Sequence, residues 1–335
     1  MTLLAPALVG LAPVLTFLAG LLFLDSYKLV KLRTVVTVVV AGMAMAAATY
    51  AANGVLLEHL PMEFESFTRY VAPLVEELLK GLVIVALIRA HRIGFLVDAA
   101  IFGFAIGAGF AMVENLHYLR MFPQAGMGTW VVRGFGTALM HGGATAMFAV
   151  MGLAMIDRSG RAGLVAYLPG FVLAVLLHSA FNHFFLSPRI STLGIALVLP
   201  PLFYLVFDRS ERAVGSWLGK GFDADAEMLE LINSGRLSDS PVGKYLHSLK
   251  DKFKGPVVAD ILCYIRLHTE LALRAKGILI LRENGFEAAV DESTVAKFTE
   301  MTYLEGSIGR TALLAIQPML HMSHKDLWQM YMLGK

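Results

Sequence analysis

The chain is 335 residues long, 57% of them hydrophobic and only 16% charged, with a net charge of +2 and a mean hydropathy of +0.65. A soluble globular domain sits nearer half apolar and a quarter charged, so composition excludes an ordinary soluble protein and points to a membrane protein. The small net charge argues against a nucleic-acid partner, and the single cysteine, Cys263, excludes an intramolecular disulfide and a cysteine-based zinc site.

Charge is unevenly placed: 21 of the 54 Asp, Glu, Lys and Arg residues fall in residues 1–207 and 33 in 208–335. This divides the chain into a membrane domain, 1–207, and a soluble helical domain, 208–335. Seven apolar runs are long enough to cross a hydrocarbon core of about 30 Å at about 1.5 Å per residue. They cover 3–24, 34–57, 69–90, 95–118, 129–156, 164–186 and 190–207. The predicted fold is all-α, a polytopic bundle of these spans with a C-terminal helical cytoplasmic domain.

The first run lacks a basic leader and a small-residue cleavage site, so it reads as a retained helix rather than a signal peptide. The second, with Ala41-Gly42-Met43-Ala44, and the fourth, with Gly103, Gly107 and Gly109, are rich in small residues that let helix backbones approach closely in lipid. The last contains Pro200-Pro201, which predicts a kink or a break because proline has no amide hydrogen and crowds the preceding turn. In the tail, apolar residues between Val257 and His268 recur at helical spacing. The tail is expected to serve regulation or homo-oligomerisation.

Basic residues set the orientation. Lys28, Lys31 and Arg33, then Arg89 and Arg92, then Arg158 and Arg161, then Arg209 and Arg212 mark one side, while the alternate loops are poorer in them. The N-terminus is therefore expected outside and the C-terminus in the cytoplasm. Arg133, near the outer end of the fifth span, is expected to snorkel to the interface.

Ionisable residues at membrane depth are costly and mark functional sites by default. The third span holds Glu76, Glu77 and Lys80; the fourth, Asp98 and Glu114; the fifth, His141; the sixth, His178, Asn182 and His183. A plain reading of the third span is a helical ion pair between Glu76 and Lys80, four residues apart, although it leaves Glu77 without a partner. Counted from the span ends, Glu76, Glu77, Glu114, His141 and His178 share one level in the outer half of the bilayer. Asp98 falls at the inner boundary, where Arg92 is a candidate partner, and His183 reads as interfacial. Asn182 shares a helix face with His178 and can fix the tautomer of its imidazole. Carboxylates and imidazoles gathered in this way suit activation of water and stabilisation of an oxyanion. Two other classes use the same buried groups, a cation- or proton-coupled transporter and a non-catalytic receptor; the absence of an internal repeat counts against the first.

Four motifs occur in order on consecutive spans: Glu76-Glu77-Leu78-Leu79-Lys80; Gly109-Phe110-Ala111-Met112-Val113-Glu114-Asn115 with Tyr118; His141-Gly142 with Thr145-Ala146-Met147; and His178-Ser179-Ala180-Phe181-Asn182. Together, over about residues 60–190, they resemble the PrsW family of bacterial intramembrane proteases, distant relatives of the CAAX prenyl endopeptidases. The resemblance implies peptide-bond hydrolysis in a bacterial cytoplasmic membrane, with Glu76, Glu77, Glu114, His141 and His178 as functional residues and Lys80, Asn115 and Asn182 in support. It implies a membrane-anchored protein substrate, an anti-sigma factor in some relatives. It leaves open whether zinc, on His141, His178 and Glu114, or a glutamate-activated water alone does the work.

Overall fold

The computed structural model describes residues 3–159, 163–286, 288, 290–320 and 324–333. Arg161, one of the basic residues used for orientation, lies outside them. Among the described residues every regular element is helical and there is no strand. The chain forms two compact units, Met1–Glu211 and Arg212–Lys335.

In the first unit, α1 (Leu4–Leu24) and α2 (Leu32–His59) are followed by a π-helical stretch, Phe67–Val71, that runs into α3 (Ala72–Arg89). Then come α4 (Leu96–Met121), a helical turn Met127–Val131, and a second π-helical stretch, Val132–Ala138, that runs into α5 (Leu139–Ser159). They are followed by α6 (Leu168–His183) and the long α7 (Pro188–Asn233), within which the division between the units falls. Six described helical stretches are long and apolar enough to cross a membrane: Leu4–Leu24, Leu32–His59, Leu96–Met121, Met127–Ser159, Leu164–His183 and Pro188–Asn233. The remaining one, α3, spans about 27 Å over its 18 residues but carries Glu76, Glu77, Lys80 and Arg89. The protein is a multi-pass membrane bundle.

The bundle is built around α4, in which 17 of 26 residues are buried. Its glycines make that possible. A Cβ on Gly107 would sit 2.2 Å from the His141 carbonyl of α5, and one on Gly109 would sit 2.1 Å from the Val39 carbonyl of α2. Two helices thus touch α4 backbone to backbone on different faces, the small-residue packing that lipid favours. Phe17, Phe104 and Phe203 fasten α1 and α7 to it, with ring centroids 4.9 to 5.8 Å apart.

Two local expectations need correction. The helix does not break at Pro200-Pro201 but continues to Asn233, well past the predicted end at 207. Proline removes only its own amide bond, and the flanking turns hold the helix together. Asp98 serves its own helix start, where its Oδ2 accepts from the backbone amides of Gly94 (2.9 Å) and Phe95 (3.2 Å). A carboxylate there meets amides that have no partner within the helix.

In the second unit, α8 (Pro241–Ser248), α9 (Gly255–Glu283), α10 (Glu292–Ile316) and α11 (His324–Leu333) follow the end of α7. The apolar stripe read between Val257 and His268 continues along α9, where Ile261, Tyr264, Ile265, Leu271, Ala275 and Leu279 are buried. Lys276, also on α9, is only 2% exposed. It is paired with Asp225 at 2.5 Å and lies 5.0 Å from the Trp217 ring, the pairing a buried ammonium needs. Asp291 caps α10 by accepting from the Thr294 amide at 2.9 Å.

Candidate active site

Four helices carry the polar residues singled out above, and their site-bearing ends lie at one end of the bundle. Glu76 and Glu77 sit in the first turns of α3, Glu114 in the last turns of α4, His141 at the start of α5 and His178 in the second half of α6. Lys80, Glu77, His141 and His178 are 0 to 2% exposed. The side chains of Glu76 and Glu114 keep 15% and 27%. The two imidazoles meet edge to face, with centroids 4.7 Å apart.

Lys80 does not pair with Glu76. Its Nζ donates to Glu77 Oε1 at 2.5 Å and reaches His141 Nδ1 at 3.1 Å. Residues three apart on a helix are as close as residues four apart, and the histidine from α5 draws the ammonium to the Glu77 side. An ammonium has only hydrogens to give, so Nδ1 of His141 accepts. Its Nε2 then donates to Glu114 Oε2 at 2.9 Å.

His178 is oriented in the same manner. Its Nδ1 donates to Glu77 Oε1 at 2.9 Å, which turns the Nε2 lone pair towards Glu76 Oε2, 3.8 Å away. Glu77, not Asn182, therefore fixes this imidazole. Asn182 Nδ2 instead donates to the Thr68 carbonyl at 3.0 Å, and Ser179 Oγ donates to that of Arg69 at 2.7 Å. Both hold α6 against the π-helical stretch before α3. His183 donates from Nδ1 to the Ser179 carbonyl (2.7 Å) and stacks on Phe185.

Arg133 points inward. Its Nη2 lies 3.2 Å from Glu114 Oε1, its Nε donates to Asn115 Oδ1 at 2.8 Å, and its guanidinium covers the Tyr118 ring at 3.6 Å. Asn115 in turn donates to the Gly10 carbonyl at 2.7 Å, tying α1 to the assembly. Arg133 is thus engaged by Glu114, Asn115 and Tyr118 rather than snorkelling to the interface as its span-end position predicts, and it lies in the π-helical stretch that contains Gly134 and Gly136. Arg133 is the site neighbour that the motifs did not name. A lone arginine among apolar residues, beside two glycines, was its signal.

Glu76, His141 and His178 each bring a ligand atom within 4.8 Å of the others. Glu76 Oε2 is buried and accepts no hydrogen bond from any described residue, as a carboxylate oxygen suited to a cation would. Two imidazoles and a carboxylate form a donor set that suits zinc, with a fourth position left for water. The sequence reading put Glu114 in that shell; the carboxylate gathered with both histidines is Glu76, while Glu114 is engaged by Arg133 and His141.

No curated protein and no solved structure matches this chain. Residues 30–207 match the family described as PrsW family intramembrane metalloprotease, a stretch that contains every residue named for the site except Gly10. The chain therefore belongs to the PrsW family of intramembrane metalloproteases.

Proposed function

We propose that this protein hydrolyses a peptide bond in a membrane-anchored protein, and that Glu76, His141 and His178 hold a zinc ion at the reacting centre. The convergence of those three residues around an oxygen with no hydrogen-bond partner among the described residues carries the reading. Zinc bound there would supply a Lewis acid for the scissile carbonyl and its attacking water. Glu77 holds His178 in the tautomer that leaves Nε2 free, and Lys80 secures Glu77 and His141. Glu114 is the most exposed of the three carboxylates, which makes it the base that takes the proton from water. Arg133 orients it. With Lys80 on Nδ1 of His141, Nε2 is the atom left for zinc, in place of the proton it now gives to Glu114 Oε2.

The basic loops support a reading in which residues 208–335 lie in the cytoplasm of a bacterial cell and the site faces the outer surface. The substrate class is a single-span protein with its susceptible bond near that surface. An anti-sigma factor is one such protein.

The test is cleavage of a single-span substrate in liposomes. Cleavage is expected to stop with chelator and return with zinc, and Glu114→Gln should slow it by about a hundredfold or more. Undiminished cleavage by Glu76→Gln and His178→Ala together would overturn the assignment.

A further inference from the structure

A cleft of about 1090 Å³ opens beside the site, lined by residues of 118–137 and 184–189. Its walls include the linkers after α4 and α6. Irregular backbone cannot face lipid, so this end of the bundle lies at the membrane surface, where Glu76, Glu114, His141 and His178 also gather. Arg133 and Tyr118 belong both to the cleft wall and to the surroundings of Glu114. The cleft thus shares two residues with the surroundings of Glu114.

Two donors on its wall are buried and make no hydrogen bond to a described residue. Trp130 Nε1 has no hydrogen-bond partner among the described residues. Nor does Arg133 Nη2, whose approach to Glu114 is an ion pair outside hydrogen-bond geometry. Buried donors are rarely left unsatisfied, and such groups call for acceptors from outside. A helical segment has none to offer, since its carbonyls are bonded within the helix. An extended peptide presents free carbonyls along its length. Of the two arginines on the cleft wall, Arg133 is already ion-paired with Glu114 and Arg189 is exposed, and the wall holds no Asp or Glu.

Resting on the proteolytic reading above, we infer that this cleft binds the substrate as an extended juxtamembrane segment bearing acidic side chains. Its backbone carbonyls accept from Trp130 and Arg133, and an acidic side chain lies against Arg189.

The experiment uses the full-length protein in liposomes and two single-span substrates that differ only in Glu or Lys within the juxtamembrane segment. The wild-type protein should cleave the Glu substrate more efficiently, by roughly threefold or more for an exposed charge pair, and salt should shrink the difference. Arg189→Glu should reverse the preference. Gly128 lies on the cleft wall with open space where a Cβ would be. Gly128→Trp should therefore fill the cleft and lower kcat/KM about tenfold through KM. Gly54→Trp, equally open but outside the cleft, should cleave as the wild type does. If the wild type cleaves neither substrate, the proteolytic reading itself falls. If it cleaves both alike, or if Arg189→Glu or Gly128→Trp leaves its behaviour unchanged, the cleft inference is overturned while proteolysis stands.

Discussion

Lys80 Nζ stands 3.1 Å from Nδ1 of His141 and 2.5 Å from Oε1 of Glu77, so one buried ammonium joins the acidic helix α3 to the imidazole of α5. Removing one member of a buried ion pair leaves the other charge uncompensated, at a cost of about 3 kcal/mol or more. Lys80→Met should therefore lower the apparent melting temperature markedly and abolish cleavage. Lys80→Met with Glu77→Gln, which removes both charges, should recover much of the stability and none of the activity. Melting the two variants in detergent, with a cleavage assay, checks both expectations.

Glu76 contrasts with its neighbour. Its Oε2 accepts no hydrogen bond from a described residue, so Glu76→Gln should change stability by no more than about 1 kcal/mol. Zinc content per purified molecule should nonetheless fall. A variant that keeps the wild-type zinc stoichiometry would remove Glu76 from the ligand set.

The contact between α4 and α5 leaves no room for a methyl group at Gly107, where a Cβ would lie 2.2 Å from the His141 carbonyl. Gly107→Ala forces α5 outward, costs about 1 to 3 kcal/mol as overpacking does, and displaces His141. Gly20→Ala in α1 meets nothing within 4 Å and should leave cleavage and melting as they are.

In the tail, pH should act on the start of α10. The Thr294 hydroxyl and amide, with smaller help from Ser293 and Arg274, hold the Asp291 carboxyl down at about 2. An unfolded aspartate titrates near 3.9, so the folded form releases its proton more readily. The stabilisation is fully present above about pH 5 and is lost as pH falls from about 4 through 2. Asp291→Ala should thus reduce hydrogen-exchange protection in the first turn of α10 at pH 7, and by progressively less as pH falls towards about 2.

Glu76, Glu77, Glu114, His141 and His178 could be picked from the chain because ionisable groups rarely lie in lipid without a reason. Their common level followed from counting residues between span ends. Partner choice could not be read in the same way. Glu76 and Glu77 stand at both helical distances from Lys80, and only His141, on another helix, decides between them. Arg133 looked interfacial because span-end arginines usually reach for water, and nothing local in the sequence announces π-helical winding. The length of α7 was hidden for a related reason: Pro200-Pro201 is a stop signal unless the turns on either side are strong enough to carry the helix across.

The glycine-rich post α4 has 83% of its apolar window buried, against 22% for α1, 28% for α2 and 33% for the Leu164–His183 segment. Those outer helices meet the lipid; α4 meets mostly protein, with Leu116 and Met121 exposed near its end. A thicker or thinner bilayer therefore tilts the outer helices first and reaches Glu114 mainly as a change in how tightly they squeeze the post. Glu114 is thereby screened from lipid by protein, whereas Glu76, Glu77 and His178 ride on helices whose other faces expose Leu74, Leu78 and Leu177.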